Sequence, residues 1–345
     1  MARKIVVFAM LVLSIASMYA CSKNEEEIKP EEKSVTFAIP ANFPAPAYNF
    51  EQNQLSNAGF ILGKKLFYDA RLSADKSVSC GSCHQQFAAF ANLDHKVSHG
   101  VNNCQGKRNA PPLFNLAWQK AFFWDGGVKN IETSPLNAIT DACEMGTNIE
   151  TIVTLLKNTA PYPELFNKAF GTADINSQLI MKSFTQFMGV LVSGNAKYDQ
   201  IIRKEKGVSF TAEEQSGYTL FKEKCSSCHA EPFFTDFSYR NNGLDQISSD
   251  EGRSHITGVK TDFGKFRIPS LRNIEYTGPY MHDGRFYSLD EVLEHYNSGI
   301  KQAENLDPSL KNGIPLNALE KNQIKAFLKT LTDNEFIKNK LYGES

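Results

Sequence analysis

The stretches CGSCH (residues 80–84) and CSSCH (residues 225–229) repeat one pattern, two cysteines separated by two residues and followed directly by a histidine. Each copy follows a helix-like segment that contains Gly and then Leu-Phe before the first cysteine. This shared order predicts an internal duplication. Thr211 and Glu214 form a capping box, which predicts that the helix before the second copy begins there.

The spacing of this CXXCH pattern indicates its chemistry. Two thiols three residues apart can form thioethers with the two vinyl groups of one haem, and the adjacent histidine then lies under the iron. A zinc site and a thioredoxin-like dithiol are the alternatives, but no second cysteine pair lies nearby and neither copy lies in a strand–helix alternation. We therefore predict two covalently bound haem c groups, held by Cys80, Cys83 and His84 and by Cys225, Cys228 and His229.

Length and charge limit the fold and function classes. The chain has 345 residues, enough for two domains, and carries 37 basic against 38 acidic side chains, which argues against binding to nucleic acid. We expect an all-α fold of two cytochrome c-like haem domains, over residues 51–205 and 206–345, with long loops and haem-centred cores. Near the C-terminus a helical apolar face is predicted from Leu319, Ile324, Phe327, Leu328 and Leu331.

The N-terminus is typical of an exported protein. Residues 1–20 combine early basic residues with an apolar run too short for a stable membrane span, as a signal peptide does. The segment resembles a lipoprotein signal, which makes Cys21 the expected lipidated residue of a periplasmic, membrane-anchored protein. Residues 21–50 are expected to form a flexible tether, with compact structure from near Leu55.

Around the two copies, five further segments occur in order: LGKKLFYDARLS, RNAPPLFN, FFWDGG, PSLRN and PYMHDG. Together they are spread over most of the chain after the tether. The sequence resembles the bacterial dihaem cytochrome c peroxidase family, which includes the MauG-like dihaem enzymes of methylamine utilisation. The resemblance implies reduction of hydrogen peroxide to water at the N-terminal haem, with electrons from a periplasmic cytochrome or cupredoxin that enter at the C-terminal haem.

The resemblance also assigns roles at the N-terminal haem. His99 matches a removable distal iron ligand, with His95 as the nearby rival. Glu144 matches the distal acid, which takes a proton from one peroxide oxygen and returns it to the other. Trp124 matches a tryptophan that relays electrons between the haems. The alternatives are a solvated loop histidine, a surface carboxylate and a core aromatic residue. Where the family often has Gln beside the acid, this chain has Ser134.

Further ligands follow from the same resemblance. One calcium ion is expected between the domains, bound by Asn109, Thr277 and Pro279. At the C-terminal haem, the sixth-ligand position falls on Tyr296, as in MauG-like enzymes, with Met281 as the alternative ligand and a non-ligating tyrosine as the third interpretation. A phenolate ligand stabilises oxidised iron and predicts a low reduction potential. Two arginines are candidates for neutralising haem propionates, with solvated positions as the alternative: Arg267 and Arg272.

Two cysteines remain, Cys104 after His99 and Cys143 directly before Glu144. In an oxidising compartment they are candidates for a disulfide, and two unpaired thiols are the alternative. Three functions stay open: a peroxidase; a MauG-like oxidase that uses peroxide to oxidise a protein or small molecule through a high-valent state shared by both haems; and a non-catalytic dihaem electron carrier. Family members are often dimers, so a homodimer is also expected.

Overall fold

The computed structural model describes residues 35–93 and 95–344. The predicted signal peptide and Cys21 lie outside the described residues. Within these ranges, no helix combines the length and the apolar character that crossing a membrane requires.

Helices and loops make up nearly all of the described chain. The α-helices are α1 Asn57–Tyr68, α2 Cys80–Cys83, α3 Pro135–Thr140, α4 Ile149–Lys157, α5 Tyr162–Phe170, α6 Ser177–Met188, α7 Lys197–Ile202, α8 Ala212–Lys224, α9 Ser254–Thr257, α10 Leu289–Glu294, α11 Ala318–Lys329 and α12 Asn334–Lys338. A π-helical turn, His295–Gly299, follows α10 directly. Short 3-10 turns lie at Phe50–Gln52, Ala70–Leu72, Gln86–Ala88, Val101–Asn103, Leu116–Trp118, Ile131–Thr133, Lys260–Asp262 and Pro308–Leu310.

The sheet content of the described chain is a single antiparallel pair of two-residue strands. Strand β1, Tyr239–Arg240, pairs with β2, Phe266–Arg267, so that Tyr239 lies opposite Arg267. The prediction of an all-α fold is therefore confirmed, and the small sheet serves to bring two loops together.

Sequence signals for helix starts are confirmed by hydrogen bonds. The side chain of Thr211 accepts the backbone N–H of Glu214, and the Glu214 carboxylate accepts the N–H of Thr211. Ser288 and Glu291 form the same reciprocal pair at the start of α10. These two capping boxes determine where the helices before and after the second CXXCH copy begin.

Each CXXCH copy is preceded by a helix that packs closely on a later helix through a glycine. A Cβ atom on Gly63 of α1 would lie 2.0 Å from the carbonyl oxygen of Ser183 and 3.0 Å from Phe187 Cβ in α6. A Cβ atom on Gly217 of α8 would lie 1.9 Å from the carbonyl oxygen of Gln323, and 3.0 Å from the Cβ atom of Phe327, in α11. The two halves thus repeat one helix crossing, which supports the duplication inferred from the repeated motif.

The apolar residues form two main clusters, one for each helix pair. The larger cluster surrounds α1 and α6, and the smaller surrounds α8 and α11. The chain end returns to the first cluster, because Phe336 and Ile337 of α12 are buried there, where Phe336 packs on Phe90 and Phe114. Helix α12, which belongs by sequence to the expected second domain (residues 206–345), therefore packs in the first cluster. The division into two domains stays a prediction.

Two local expectations are wrong. Residues 35–50 are not a free tether: Phe43 is buried against Trp118, and the backbone N–H groups of Ala47 and Tyr48 donate to the carbonyl oxygen of Ala117. Compact structure therefore includes the chain from residue 35 onward. Leu319 does not share the buried face of α11, since it is 63 % exposed while the other four predicted positions are buried or nearly so.

Candidate functional site

The histidine of each CXXCH copy is oriented by a backbone carbonyl. Nδ1 of His84 donates to the carbonyl oxygen of Phe90 at 2.9 Å, and Nδ1 of His229 donates to that of Phe234 at 3.0 Å. These bonds place the ring proton on Nδ1, so Nε2 is left as the basic nitrogen. Burial lowers the pKa of His84 to about 4 and also lowers the pKa of His229. Both rings are therefore neutral at pH 7 and suited to bind a metal ion.

The two acceptor residues share an unusual backbone conformation. Phe90 has φ 61° and Phe234 has φ 55°, in the left-handed region that aromatic residues rarely adopt. The N–H groups of Leu113 and Leu271 donate to the same two carbonyl oxygens at 3.2 and 3.3 Å. Each half thus holds a strained phenylalanine whose carbonyl anchors the histidine, and such strain concentrates at functional sites.

No cysteine of either copy forms a disulfide within the described residues. Cys80 and Cys83 lie one turn apart on α2, while Cys225 caps the C-terminus of α8 and Cys228 follows it. These cysteines and the two motif histidines retain accessible surface, although burial shifts the pKa values of all of them. Each of the six side chains is therefore partly enclosed by the chain and partly open, as a residue that holds a haem must be.

An orphaned polar atom supports the same conclusion. The hydroxyl of Tyr239 is buried and has no hydrogen-bond partner among the described residues. Arg267, opposite it in the β1–β2 pair, donates to the carbonyl oxygen of Phe123 and to Gln119 Oε1. Burial lowers the pKa of Arg267 to about 10, and no carboxylate in the described part of the chain forms an ion pair with it. A free hydroxyl beside an unpaired cation fits a buried anion such as a haem propionate.

Arg272 does not fit either predicted role. Its side chain is fully buried, and its guanidinium forms two 2.8 Å hydrogen bonds with the carboxylate of Asp199, which is equally buried. The guanidinium also donates to the carbonyl oxygen of Pro232. Because a buried cation needs a partner that matches its hydrogen-bond geometry, Arg272 is committed to this structural ion pair. It is neither a solvated surface residue nor a group free to bind a propionate.

Glu144 lies beside the first CXXCH copy. Burial above all, and in part the charge of Glu144, raise the pKa values of the Cys80 and Cys83 thiols, so the carboxylate is close to both. Burial and the charge of Asp141 raise the pKa of Glu144 itself to about 7. A carboxyl group that titrates near neutral pH can both accept and return a proton. Ser134 does not orient it, because its hydroxyl donates to the carbonyl oxygen of Ile131 at 2.8 Å.

A disulfide joins the Glu144 segment to the loop that contains His99. Cys104 and Cys143 are bonded, with their Cα atoms 4.8 Å apart. The N–H of Val101 donates to the carbonyl oxygen of Glu144 at 2.8 Å, which adds a second link. His99 and Glu144 are thus held on one connected unit.

The two histidine candidates lie side by side and differ in burial. The rings of His95 and His99 lie with their centroids 5.0 Å apart, and His99 is partly buried while His95 is exposed. Nδ1 of His95 lies 3.3 Å from the carbonyl oxygen of Leu93. The greater burial of His99 favours it as the residue that faces the site.

Trp124 is buried and links the two halves of the chain. Its indole Nε1 donates to the carbonyl oxygen of Asn109 at 2.7 Å, and the Asn109 N–H donates to the carbonyl oxygen of His282 at 2.7 Å. In the other direction, the N–H of Arg267 donates to the carbonyl oxygen of Trp124 at 2.7 Å. The indole therefore belongs to a hydrogen-bonded path between the FFWDGG and PYMHDG segments.

The oxygens expected to bind calcium remain available. Nδ2 of Asn109 donates to the carbonyl oxygen of Lys96 at 3.1 Å, and no donor in the described chain occupies its Oδ1 or the carbonyl oxygens of Thr277 and Pro279. The described residues contain no group of three or more His, Cys, Asp and Glu side chains that could hold a metal ion. A calcium site here would therefore use amide, carbonyl and water oxygens, and it stays a prediction.

Tyr296 lies near the cysteines of the second CXXCH copy, just as Glu144 lies near those of the first. Burial raises its pKa, and the charges of Cys228 and Cys225 add to the effect, so the phenol lies near both thiols. It lies on the π-helical turn, a feature frequent at functional sites. Met281 has φ 76°, and Nδ2 of Asn242 lies 3.5 Å from both its sulfur and the Tyr296 hydroxyl. The structure thus brings the two candidate ligands together.

Sequence reasoning missed several residues at these sites. Neither Asp141 nor Tyr239 belongs to a recognised motif. Asp141 acts on Glu144 three residues later, whereas Tyr239 lies opposite Arg267 only because the fold pairs β1 with β2. Asn242 could have been found from the sequence. The triplet NNG (residues 241–243) follows the second CXXCH copy much as SHG (residues 98–100) follows the first.

Comparisons with known proteins agree with this arrangement. The family model for di-haem cytochrome c peroxidase matches residues 57–207. The methylamine utilization protein MauG of Methylorubrum extorquens is 34 % identical over 301 residues, which cover 86 % of this chain and 83 % of that protein. The cytochrome c551 peroxidase of Nitrosomonas europaea is 32 % identical over a match that covers 79 % of this chain and 80 % of that protein.

A solved structure shows the same fold. The crystal structure of a MauG-like protein associated with microbial copper homeostasis superposes with a TM-score of 0.80 and 30 % identity. The match covers 90 % of this chain and 99 % of that protein. The likeness therefore extends over both CXXCH halves of the described chain.

Proposed function

The chain belongs to the di-haem cytochrome c peroxidase family, whose members include MauG, and we propose that it is a periplasmic peroxidase that reduces hydrogen peroxide to water. Family membership implies an oxidoreductase with two haem c groups. The placement of Glu144 carries the proposal, because a carboxyl group with a pKa of about 7 lies beside the first haem-attachment motif.

The proton chemistry belongs to Glu144. A bound haem supplies the redox chemistry that breaks the peroxide O–O bond. Glu144 takes a proton from one peroxide oxygen and returns it to the other, which leaves as water. Each peroxide requires two electrons and two further protons to form two water molecules. His99 acts as the removable ligand that leaves the site when the enzyme is activated.

The remaining parts of the chain deliver electrons. A small periplasmic donor, a cytochrome c or a cupredoxin, supplies them to the C-terminal half, and Trp124 relays them towards the N-terminal half. Calcium bound by Asn109, Thr277 and Pro279 couples the two halves. The signal peptide directs export and is cleaved before Cys21, a lipid on Cys21 then holds the protein at a membrane, and the protein assembles as a homodimer.

A second candidate function is favoured by Tyr296. A phenolate ligand would keep the second haem oxidised, which suits an enzyme that withdraws electrons from a protein or small molecule rather than one that accepts them from a cytochrome. The same peroxide chemistry at Glu144 would then serve oxidation of that substrate, as the MauG-like alternative requires.

Turnover with a defined donor tests the proposal. The purified holoprotein is mixed with hydrogen peroxide and a reduced small cytochrome c, and both reactants are followed. The peroxidase proposal predicts two cytochrome molecules oxidised for each peroxide consumed. Peroxide consumption without cytochrome oxidation would favour the oxidase. Consumption of neither reactant would contradict both functions and leave an electron carrier.

A further inference from the structure

Asn242 occupies the position in the second half that His99 occupies in the first. The chain reads SHG at residues 98–100 and NNG at 241–243, and in both triplets the middle residue is partly buried between two buried neighbours. A Cβ atom on Gly100 would meet the carbonyl oxygen of Cys143, next to Glu144, at 2.0 Å. A Cβ atom on Gly243 would meet Ile300 and the carbonyl oxygen of Lys301, just after the turn that contains Tyr296.

The backbone of Asn242 is firmly held. Its carbonyl oxygen accepts Nε2 of His295, the residue before Tyr296, at 3.1 Å. The next residue, Gly243, has φ 69°, donates its N–H to Asn241 Oδ1 at 2.9 Å and accepts the N–H of Lys301 at 2.8 Å. These contacts hold the backbone of Asn242 against the segment that contains Tyr296.

The side-chain amide of Asn242 lies at the same distance from both candidate ligands. Nδ2 of Asn242 has two hydrogens and lies 3.5 Å from the hydroxyl oxygen of Tyr296 and 3.5 Å from the sulfur of Met281. The two side chains therefore converge on one place and cannot be treated as independent. Met281 is held there in a left-handed backbone conformation, an outlier of the kind found at ligand clamps.

We propose that Asn242 is a positioning residue that keeps Tyr296, and not Met281, as the sixth ligand of the second haem. This inference rests on the proposed function, in which that haem is the electron-transfer site. An N–H donor favours a phenolate oxygen strongly, because the hydrogen bond is charge-assisted, whereas a thioether sulfur is a weak acceptor. Without the donor, the preference for the oxygen ligand is lost. A thioether ligand would raise the reduction potential.

Spectra and redox titrations of the oxidised holoprotein test this inference. In Asn242→Leu, which is similar in size and cannot donate, we expect the near-infrared band of thioether-ligated ferric haem to appear and the potential of the second haem to shift upward. The double variant Asn242→Leu/Met281→Leu should lose that band. Asn242→Gln, which keeps the carboxamide, should retain part of the oxygen-ligand signature. An Asn242→Leu spectrum and potential equal to those of the parent would overturn the inference.

Two controls separate this inference from the proposed function. Met281→Leu alone should leave the spectrum unchanged, and a change would show that sulfur already binds the iron, which overturns the role of Asn242. Tyr296→Phe should change the spectrum of the second haem, and an unchanged spectrum would overturn the inference as well. Peroxide consumption at Glu144 is measured separately in the parent protein. Its absence would contradict the proposed function while the ligand assignment could still stand.

Discussion

Glu144 is the carboxyl group among the described residues whose pKa is raised, mainly by burial. It lies near the Cys80 and Cys83 attachment points, and no side chain in the described residues donates a hydrogen bond to its carboxylate. Glu144→Gln should lower kcat/KM for hydrogen peroxide by about 10²–10⁴-fold, because the amide cannot carry the proton. Steady-state peroxide consumption measures the loss.

The matched control is Glu150→Gln, which removes the same charge from an exposed position on α4. It should leave kcat/KM within a factor of about two, since surface charges are screened at ordinary ionic strength. Equal haem content in both variants would show that attachment is intact. Full activity in Glu144→Gln would mean that another group moves the proton.

The pH dependence follows from the raised pKa of the same residue. Glu144 must be deprotonated to accept a proton, so kcat/KM should fall as the pH drops below about 7. The facing charge is that of Asp141, since Cys80 and Cys83 no longer titrate once they form thioethers. Asp141→Asn removes that charge while its side-chain oxygen can still accept the N–H of Cys143. The acid limb should then move to lower pH, and an unmoved limb would contradict this assignment.

At the scale of elements, the Cys104–Cys143 disulfide closes a segment with a sequence separation of 39 residues. The double variant Cys104→Ser/Cys143→Ser should lose about 2–4 kcal/mol of stability, because the unfolded chain regains loop freedom. Thermal unfolding of the holoprotein measures the change. Since the link connects the His99 loop to Glu144, peroxide reactivity should fall in the same variant. A Tm of the variant equal to that of the parent, or two thiols of the parent that react without reductant, would show that the bond is absent in solution.

The close packing of helices at Gly63 and Gly217 gives a second prediction at this scale. Gly217→Ala should destabilise the protein by about 1–3 kcal/mol, because the new methyl group would clash with the carbonyl oxygen of Gln323. Helix propensity alone predicts the opposite sign, a gain of about 1 kcal/mol. The exposed neighbour Gln215→Ala is the control and should change the Tm little. A Tm for Gly217→Ala equal to or above that of the parent would contradict the close packing of α8 on α11.

Helix starts could be predicted, and the haem-attachment motifs could be recognised, because both depend on short-range sequence. The capping box at Thr211 needs only residues three apart, and the thioether link needs the spacing of Cys80, Cys83 and His84. The buried ion pair of Arg272 could not be predicted, since its partner Asp199 is 73 positions away in the sequence. The left-handed phenylalanine that anchors each motif histidine is likewise invisible in the sequence, because aromatic residues normally avoid that conformation.

At the scale of the whole molecule, the all-α class was predictable and the exact extent of each half was not. The two halves repeat the same histidine anchor and the same helix crossing, as the duplicated motif indicated. The segment 35–50 and helix α12 depart from the expected bounds because their aromatic residues find apolar partners far along the chain. Burial of such residues, each worth about 1.5–3 kcal/mol, outweighs the polar composition of their neighbours.

The proposed function requires that one of two attached haems opens to peroxide while the other serves electron transfer. EPR spectra of the half-reduced holoprotein, recorded before and after one equivalent of hydrogen peroxide, test it most directly. We expect a high-spin signal from one iron that disappears when peroxide is added. Two low-spin, six-coordinate irons that remain unchanged by peroxide in every redox state would contradict it.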